Sequence, residues 1–210
     1  MIMSMYKKIC ITNRRLVCDK LNISDYDGEE ACNELLLQIT KVCEVGADII
    51  ILREKDLDAC TYETLAKGAI DICKRYDVLL VLHTFVDVAK RLNYPHIHVS
   101  YAQFCKMVDA LEQADARNAF HFETIGVSTH TAEEAKQAGT QGASYVTISP
   151  IYETTCKPGA KAKGLDFLAE AVHNAGIPVY ALGGVNESRI DECISHGAAG
   201  VCMMSEYMRL

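Results

Sequence analysis

Residues 47–52 read Ala47-Asp48-Ile49-Ile50-Ile51-Leu52, and the next four are Arg53-Glu54-Lys55-Asp56. Neighbouring side chains of a strand point to opposite faces, so a run that is apolar at every position is covered on both. Strands of that kind belong to parallel sheets flanked by helices. The segment before it, Asp27 to Glu44, repeats Leu35, Leu36, Ile39 and Val42 at helical spacing. The segment after it, Thr61 to Tyr76, reads as a second helix, and Val78–Leu82 (VLLVL) is another doubly buried strand.

The same alternation extends to both ends of the chain. Upstream, Lys8–Thr12 (KICIT) reads as the first strand. Downstream come helix Val86–Leu92, a weaker strand His96–Val99, helix Tyr101–Gln113 and strand Thr124–Ser128. Thr131 opens a helix, and its TAEE resembles a capping box running from Thr131 to Glu134. Strand Tyr145–Ser149 leads into a loop reaching to about Lys163, then helix Leu165–Asn174, strand Val179–Leu182, helix Glu187–Ser195 and strand Gly200–Met204. Eight strands alternating with seven helices favour a closed (β/α)8 TIM barrel over an open doubly wound sheet, as one domain over residues 1–210. The open alternative also lacks a GxGxxG after its first strand, which continues Asn13-Arg14-Arg15. The chain stops soon after the eighth strand, so a final helix is expected to be missing or truncated, leaving an apolar seam for another element or a second copy of the chain.

Composition narrows the function classes. Hydrophobic residues make up 50% and charged residues 23%, the balance of a folded chain. The net charge is −7 and no Lys/Arg run stands out, which argues against nucleic acid as a partner. No apolar run has the length of a membrane span or signal peptide, so no membrane partner and a cytoplasmic location are expected. Ten cysteines are spread evenly with no CxxC pair, and read as small apolar fillers in a reducing compartment rather than as a zinc site or a disulfide scaffold.

Five stretches carry chemistry, each at a strand's C-terminal end. Ala181-Leu182-Gly183-Gly184-Val185-Asn186 follows strand seven, and Gly200-Val201-Cys202-Met203-Met204-Ser205 ends strand eight. Glycines there admit close backbone approach, and barrels of this kind commonly hold phosphates at these two loops. After strand two, Arg53 and Lys55 share one parity and suit a phosphate or diphosphate, the bland reading being a solvated loop with an internal Arg–Glu pair. After strand six, Pro150–Gly159 collects Glu153, Thr154, Cys156 and Lys157, in the manner of a lid over a charged substrate or of an ordinary surface loop. After strand five, Ser128 and His130 lie together, and His130 suits proton transfer near neutral pH or a purely structural hydrogen bond.

Taken in order, LREKD, GVSTHTAEEA, ISPIYETTCK, ALGG and GAAGVCMMS resemble the thiamine phosphate synthase/TenI family from about Cys10 to Ser205. The resemblance implies a small phosphorylated substrate. The synthases join a pyrimidine diphosphate to a thiazole phosphate with Mg2+, and the TenI-type relatives bind a thiazole phosphate and move a proton. It assigns Arg53 and Lys55 to the diphosphate side, Thr154 and Lys157 to the lid, Ser128 to the site after strand five, and Gly183, Gly184, Met204 and Ser205 to the thiazole phosphate cradle. The departures are specific. His83-Thr84 stands where the synthase pattern has Asn-Asp, Gln103 replaces the second magnesium aspartate, Ile51 replaces a glutamine, and Pro150 stands at the place of the bacillus-type TenI histidine. Asp56 and Asp87 are the nearest substitute carboxylates, and neither matches by position. These points favour a TenI-like protein with no certain cofactor, with His130, Glu153 and Lys157 as the catalytic set and His83 in the binding set. The alternatives are a true synthase using Mg2+, or a non-catalytic binder of the same ligands.

Overall fold

The computed structural model describes residues 6–113, 120–154, 159 and 161–210. Eight parallel strands close into a barrel in chain order: β1 Lys7–Ile11, β2 Ile49–Leu52, β3 Leu79–His83, β4 His96–Ser100, β5 Thr124–Thr129, β6 Tyr145–Ile148, β7 Val179–Leu182 and β8 Gly200–Met203. Closure is direct, with β1 paired to β8 in the register Ile9↔Cys202. The helices are α1 Arg14–Leu21, α2 Glu29–Glu44, α3 Ala59–Arg75, α4 Val86–Arg91, α5 Tyr101–Gln113, α6 Ala132–Thr140, α7 Gly164–Ala175, α8 Ile190–Ser195 behind a 3-10 turn Glu187–Arg189, and α9 Ser205–Met208.

The apolar side chains sort by strand parity. Leu35, Ile39, Ile50, Leu80, Leu82, Ile97, Val127, Val146, Ala181 and Val201 fill the layer between strands and helices. Ile9, Ile11, Ile49, Ile51, Val81, Tyr145, Tyr180 and Cys202 fill the barrel interior. Helix starts follow local chemistry. Asp58 caps α3 by accepting from the Cys60 and Thr61 amides at 2.8 and 3.1 Å. Thr131 caps α6 by accepting from the Glu134 amide at 3.0 Å. The return bond of the expected box runs from the His130 amide to Glu134 Oε2 at 2.6 Å, one residue earlier than the box pattern places it.

Two helices were not anticipated as such, and the second of them is the truncated form of the expected final helix. α1 opens on two arginines and buries only Val17 and Cys18 among its apolar residues. It is held because Arg14, fully buried, meets Glu54 at 3.1 Å, Asp27 at 2.7 Å and Asp56 at 3.3 Å, and donates to the Tyr26 carbonyl. The final helix is present as the four-residue α9. Its Tyr207 and Met208 are buried, it packs against α1, and the Tyr207 carbonyl accepts from Gln38 of α2 at 2.6 Å. α9 therefore covers, from within the chain, part of the seam expected to be bare. Nine cysteines among the described residues are free, six of them buried, and Cys156 lies outside those residues.

Candidate active site

The strand C-termini open on a cavity of about 870 Å3. Its floor is two-sided. Ile11 of β1, Ile51 of β2, Leu182 of β7 and Cys202 of β8 make one apolar half. His83 of β3, His98 of β4, Ser128 of β5 and Ser149 after β6 make the other half, which is polar. All point inward by the alternation that places Ile9 and Ile49 deeper in the same barrel.

The polar half is built around His98. His98 is 2% exposed, with Nε2 2.8 Å from Ser128 Oγ and Nδ1 3.1 Å from Tyr145 Oη. Burial, aided by the Lys55 charge, pushes this imidazole down to about 3. His83 stacks on it with ring centroids 5.5 Å apart and planes 17° from parallel, and its Nδ1 lies 2.7 Å from Thr84 Oγ1. Burial first, then His98, Lys55 and Arg53, hold His83 well below the ordinary histidine value. The cavity therefore presents two neutral imidazoles near neutral pH. Gly126 of β5 makes room for them, because a Cβ there would lie 2.2 Å from the Tyr145 ring and 2.5 Å from His98 Nδ1.

At the β2 tip, Arg53 and Lys55 both line the cavity as their parity requires. Glu54 between them turns away and is buried. It accepts from Thr12 Oγ1 at 2.6 Å, from the Arg14 amide at 3.0 and 3.1 Å, and from the Arg14 guanidinium at 3.1 Å. Burial pushes its carboxyl up to about 7 against the pull of those donors. The partner of Glu54 is thus Arg14, not Arg53.

Across the mouth, Gly183 and Gly184 adopt φ of 95° and 66° beside Met204 and Ser205. Their glycine identity has a reason beyond ligand approach. The loop after β6 lies directly on them, with Ile151 N donating to Leu182 O at 3.0 Å and Tyr152 N to Gly183 O at 2.9 Å. A Cβ on Gly184 would sit 2.3 Å from the Glu153 carbonyl oxygen. Arg189 donates to the Gly184 carbonyl while its guanidinium lies 4.3 Å from the Tyr152 ring centroid.

The structure brings together His130, Glu153, Thr154, Ser128 and His83 with the two cations and the glycine turn around one cavity. Lys157 and Cys156 lie outside the described residues. His130 Nδ1 sits 3.1 Å from the Ser149 carbonyl, which places the ring hydrogen on Nδ1 and leaves Nε2 as a proton acceptor. The His130 carbonyl accepts from Lys163. The sequence reading missed His98, Asn13, Glu134 and Arg189, all of which line the cavity. His98 had a signal: in His96-Ile97-His98-Val99-Ser100 the polar residues alternate, the pattern of a strand with one polar face. Arg189 and Glu134 sit on helical segments and had none.

Mg2+ calls for carboxylate oxygens. Thr84 and Gln103 instead bond one another, Gln103 Nε2 donating to the Thr84 carbonyl at 2.8 Å. Asp56 is taken by Arg14 at 3.3 Å and Arg15 at 3.0 Å, and Asp87 is exposed outside the cavity lining. Among the described residues no group of three or more His, Cys, Asp or Glu side chains could hold a metal ion. The described residues do not fit a magnesium site.

With this geometry in place, the comparisons decide the family. The thiamine monophosphate synthase family matches residues 25–207. The chain belongs to this family. A putative thiamine-phosphate synthase 2 of Aquifex aeolicus is 31% identical over 182 residues, 87% of this chain and 94% of that one. A thiamine-phosphate synthase of Thermosynechococcus vestitus is 32% identical over 179 residues, 85% of this chain but 49% of its own length, so this chain spans about half of it. The solved thiamine phosphate pyrophosphorylase of Pyrococcus furiosus superposes with a TM-score of 0.76 at 26% identity, covering 98% of this chain and 89% of that one. The protein is an enzyme-family member of thiamine biosynthesis, and no helix among its described residues is long and apolar enough to cross a membrane.

Proposed function

We propose that this member of the thiamine monophosphate synthase family is TenI-like: it binds a thiazole phosphate and moves a proton on it, without a resident metal. The observation that carries the reading is the cavity's chemistry, with cations and a glycine turn at the rim, a half-apolar floor and, among the described residues, no carboxylate cluster for Mg2+. A flat heterocycle fits between Ile51, Leu182 and Cys202 on one side and the imidazoles on the other. Arg53, Lys55, Lys157, Gly183 and Gly184 anchor phosphate, with Ser128, Thr154, Met204 and Ser205 around the ligand. His130 Nε2 or the Glu153 carboxylate takes the proton. A cytoplasmic, reducing location suits the buried free cysteines.

The test is interconversion of the two thiazole phosphate isomers in D2O, followed by NMR. We expect deuterium incorporation without added metal and a loss of about a hundredfold or more in H130A or E153Q, the scale of one general acid–base group. The second reading, a true synthase, is favoured by the names of the relatives. Rapid Mg2+-dependent diphosphate release from pyrimidine diphosphate plus thiazole phosphate establishes it and ends the first. Binding of the thiazole phosphate with neither reaction leaves the protein a ligand-binding one.

A further inference from the structure

The 3-10 turn Glu187–Arg189 leads from the glycine turn after β7 into α8. Arg189 and Glu192 stand three positions apart there, the spacing that puts two side chains on one helical face. Both reach the same residue of a different loop. The Arg189 guanidinium carbon lies 4.3 Å from the Tyr152 ring centroid, and Tyr152 Oη donates to Glu192 Oε2 at 2.7 Å. From the same guanidinium, Nη1 donates to the Gly184 carbonyl. The direction of each bond is settled by its chemistry, because arginine only donates and carbonyl and carboxylate oxygens only accept. A planar guanidinium can lie with its face on a ring and donate from its edge at once, which an ammonium cannot do.

Arg189 is thus a joint between two parts of the cavity rim. On one side is the turn, whose Gly183, Gly184 and Val185 line the cavity. A peptide unit is planar and trans, so a fixed Gly184 carbonyl also fixes the direction of the Val185 N–H. On the other side is the loop after β6, where Tyr152 is held at three points. Its amide donates to the Gly183 carbonyl at 2.9 Å, its ring stacks on Arg189 and its hydroxyl reaches Glu192. The packing is tight, since a Cβ on Gly184 would lie 2.8 Å from Tyr152 Cβ. Glu153 and Thr154 follow directly and line the cavity, while Tyr152 and Glu192 are not part of its lining. Two residues outside the cavity therefore hold two that face it.

We propose that Arg189 is a positioning residue that locks the turn after β7 to the loop after β6, with Tyr152 and Glu192 as the other parts of the lock. The backbone of Gly183–Val185 and the side chains of Glu153 and Thr154 then take their places together, before any ligand arrives. A ligand held by the turn meets a loop already aligned and does not have to order it on binding. The consequence for affinity rests on reading the cavity as a thiazole phosphate pocket, whereas the lock itself is read in the ligand-free chain. Absence of isomer interconversion therefore ends the functional reading and leaves the lock standing.

The test compares R189K, Y152L, Y152F and the R189K/Y152L double variant of the full chain, with circular dichroism and melting to confirm that each is folded. In ligand-free protein, R189K and Y152L should each shift the amide resonances of both segments, Gly183–Val185 and Glu153–Thr154. Calorimetric titration of thiazole phosphate should show affinity about tenfold weaker in R189K and in Y152L, and little weaker again in the double variant, because either change opens the same lock. Y152F keeps the ring and loses only the Glu192 bond, so it should stay within about threefold of wild type. Lysine keeps the charge, so wild-type affinity in R189K would overturn the proposal. So would a Y152L that binds as wild type does, which would make Arg189 a ligand contact alone, or losses that multiply in the double variant. If wild type binds no thiazole phosphate, the functional reading falls and the amide shifts decide the lock. Shifts confined to the segment that carries the substitution overturn it, with or without a ligand.

Discussion

At the scale of single residues the barrel interior trades stability for chemistry. His98 replaces an apolar plug with an imidazole held near 3, whereas in the unfolded chain it titrates at the ordinary value of about 6.5. Below pH 6.5 the unfolded chain binds a proton that the native state refuses. The stabilising contribution is complete above that pH and is lost as pH falls towards 3, at up to about 1.4 kcal/mol per unit, with His83 adding in the same direction. Urea midpoints at pH 7 and pH 5 should therefore diverge in wild type and diverge less in H98Q, where only His83 remains; equal losses in both would locate the acid sensitivity elsewhere. Residues of this kind were the least legible in sequence. Arg53 and Lys55 could be placed because the apolar run before them sets their parity. His98 sits in a strand too polar to look buried. The role of Glu54 depends on Arg14, 40 positions away, and no local pattern carries that information.

Elements were legible where their cause is local. Helix α6 announces itself through Thr131 and Glu134, and T131A should cost about 1 kcal/mol in a urea melt with little effect on ligand binding. Strands β2 and β3 read clearly because both faces are covered. Helix α1 did not, because beside its buried Val17 and Cys18 it depends on the long-range charge network of the buried Arg14. That difference makes a separate expectation. Arg14→Met leaves Glu54 buried without its cation, a change worth about 3–5 kcal/mol when the charge must stay. Glu54, already raised to about 7, can instead take up a proton. R14M should therefore lose about 3 kcal/mol at pH 8 and distinctly less at pH 5, with the denaturant slope unchanged. Equal losses at both pH values would mean that Glu54 does not titrate in the variant. The loop after β6 belongs to the same scale. It is docked on Gly183 and Gly184 by backbone bonds, so G184A, at φ of 66° and 2.3 Å from the Glu153 oxygen, should shift Glu153 and Thr154 and reduce ligand affinity more than stability.

For the whole molecule, the alternation of strands and helices predicted a closed ring, and β1 meets β8 as that requires. What it could not supply was the closure of the outer layer. A four-residue helix has no periodicity to detect, and α9 is fixed by long-range partners: α1 beside it and Gln38 on α2, whose amide reaches the Tyr207 carbonyl at 2.6 Å. Ending the chain at Met204 removes Tyr207 and Met208, which are 5% and 0% exposed, and leaves the buried Gln38 amide without its acceptor. Burying two such side chains contributes about 1.5–3 kcal/mol each, and an orphaned amide costs about 1–3 more. For a chain of this size each kcal/mol moves the melting temperature by about 2–4 °C, so the shortened chain should melt about 10 °C or more lower. Because the newly bare face is the apolar flank of α1 and α2, it should also associate at concentrations where the full chain does not, as light scattering would record. A melting temperature within about 2 °C of the full chain's would show that α9 does not close the layer, and the seam would again be open to a second copy.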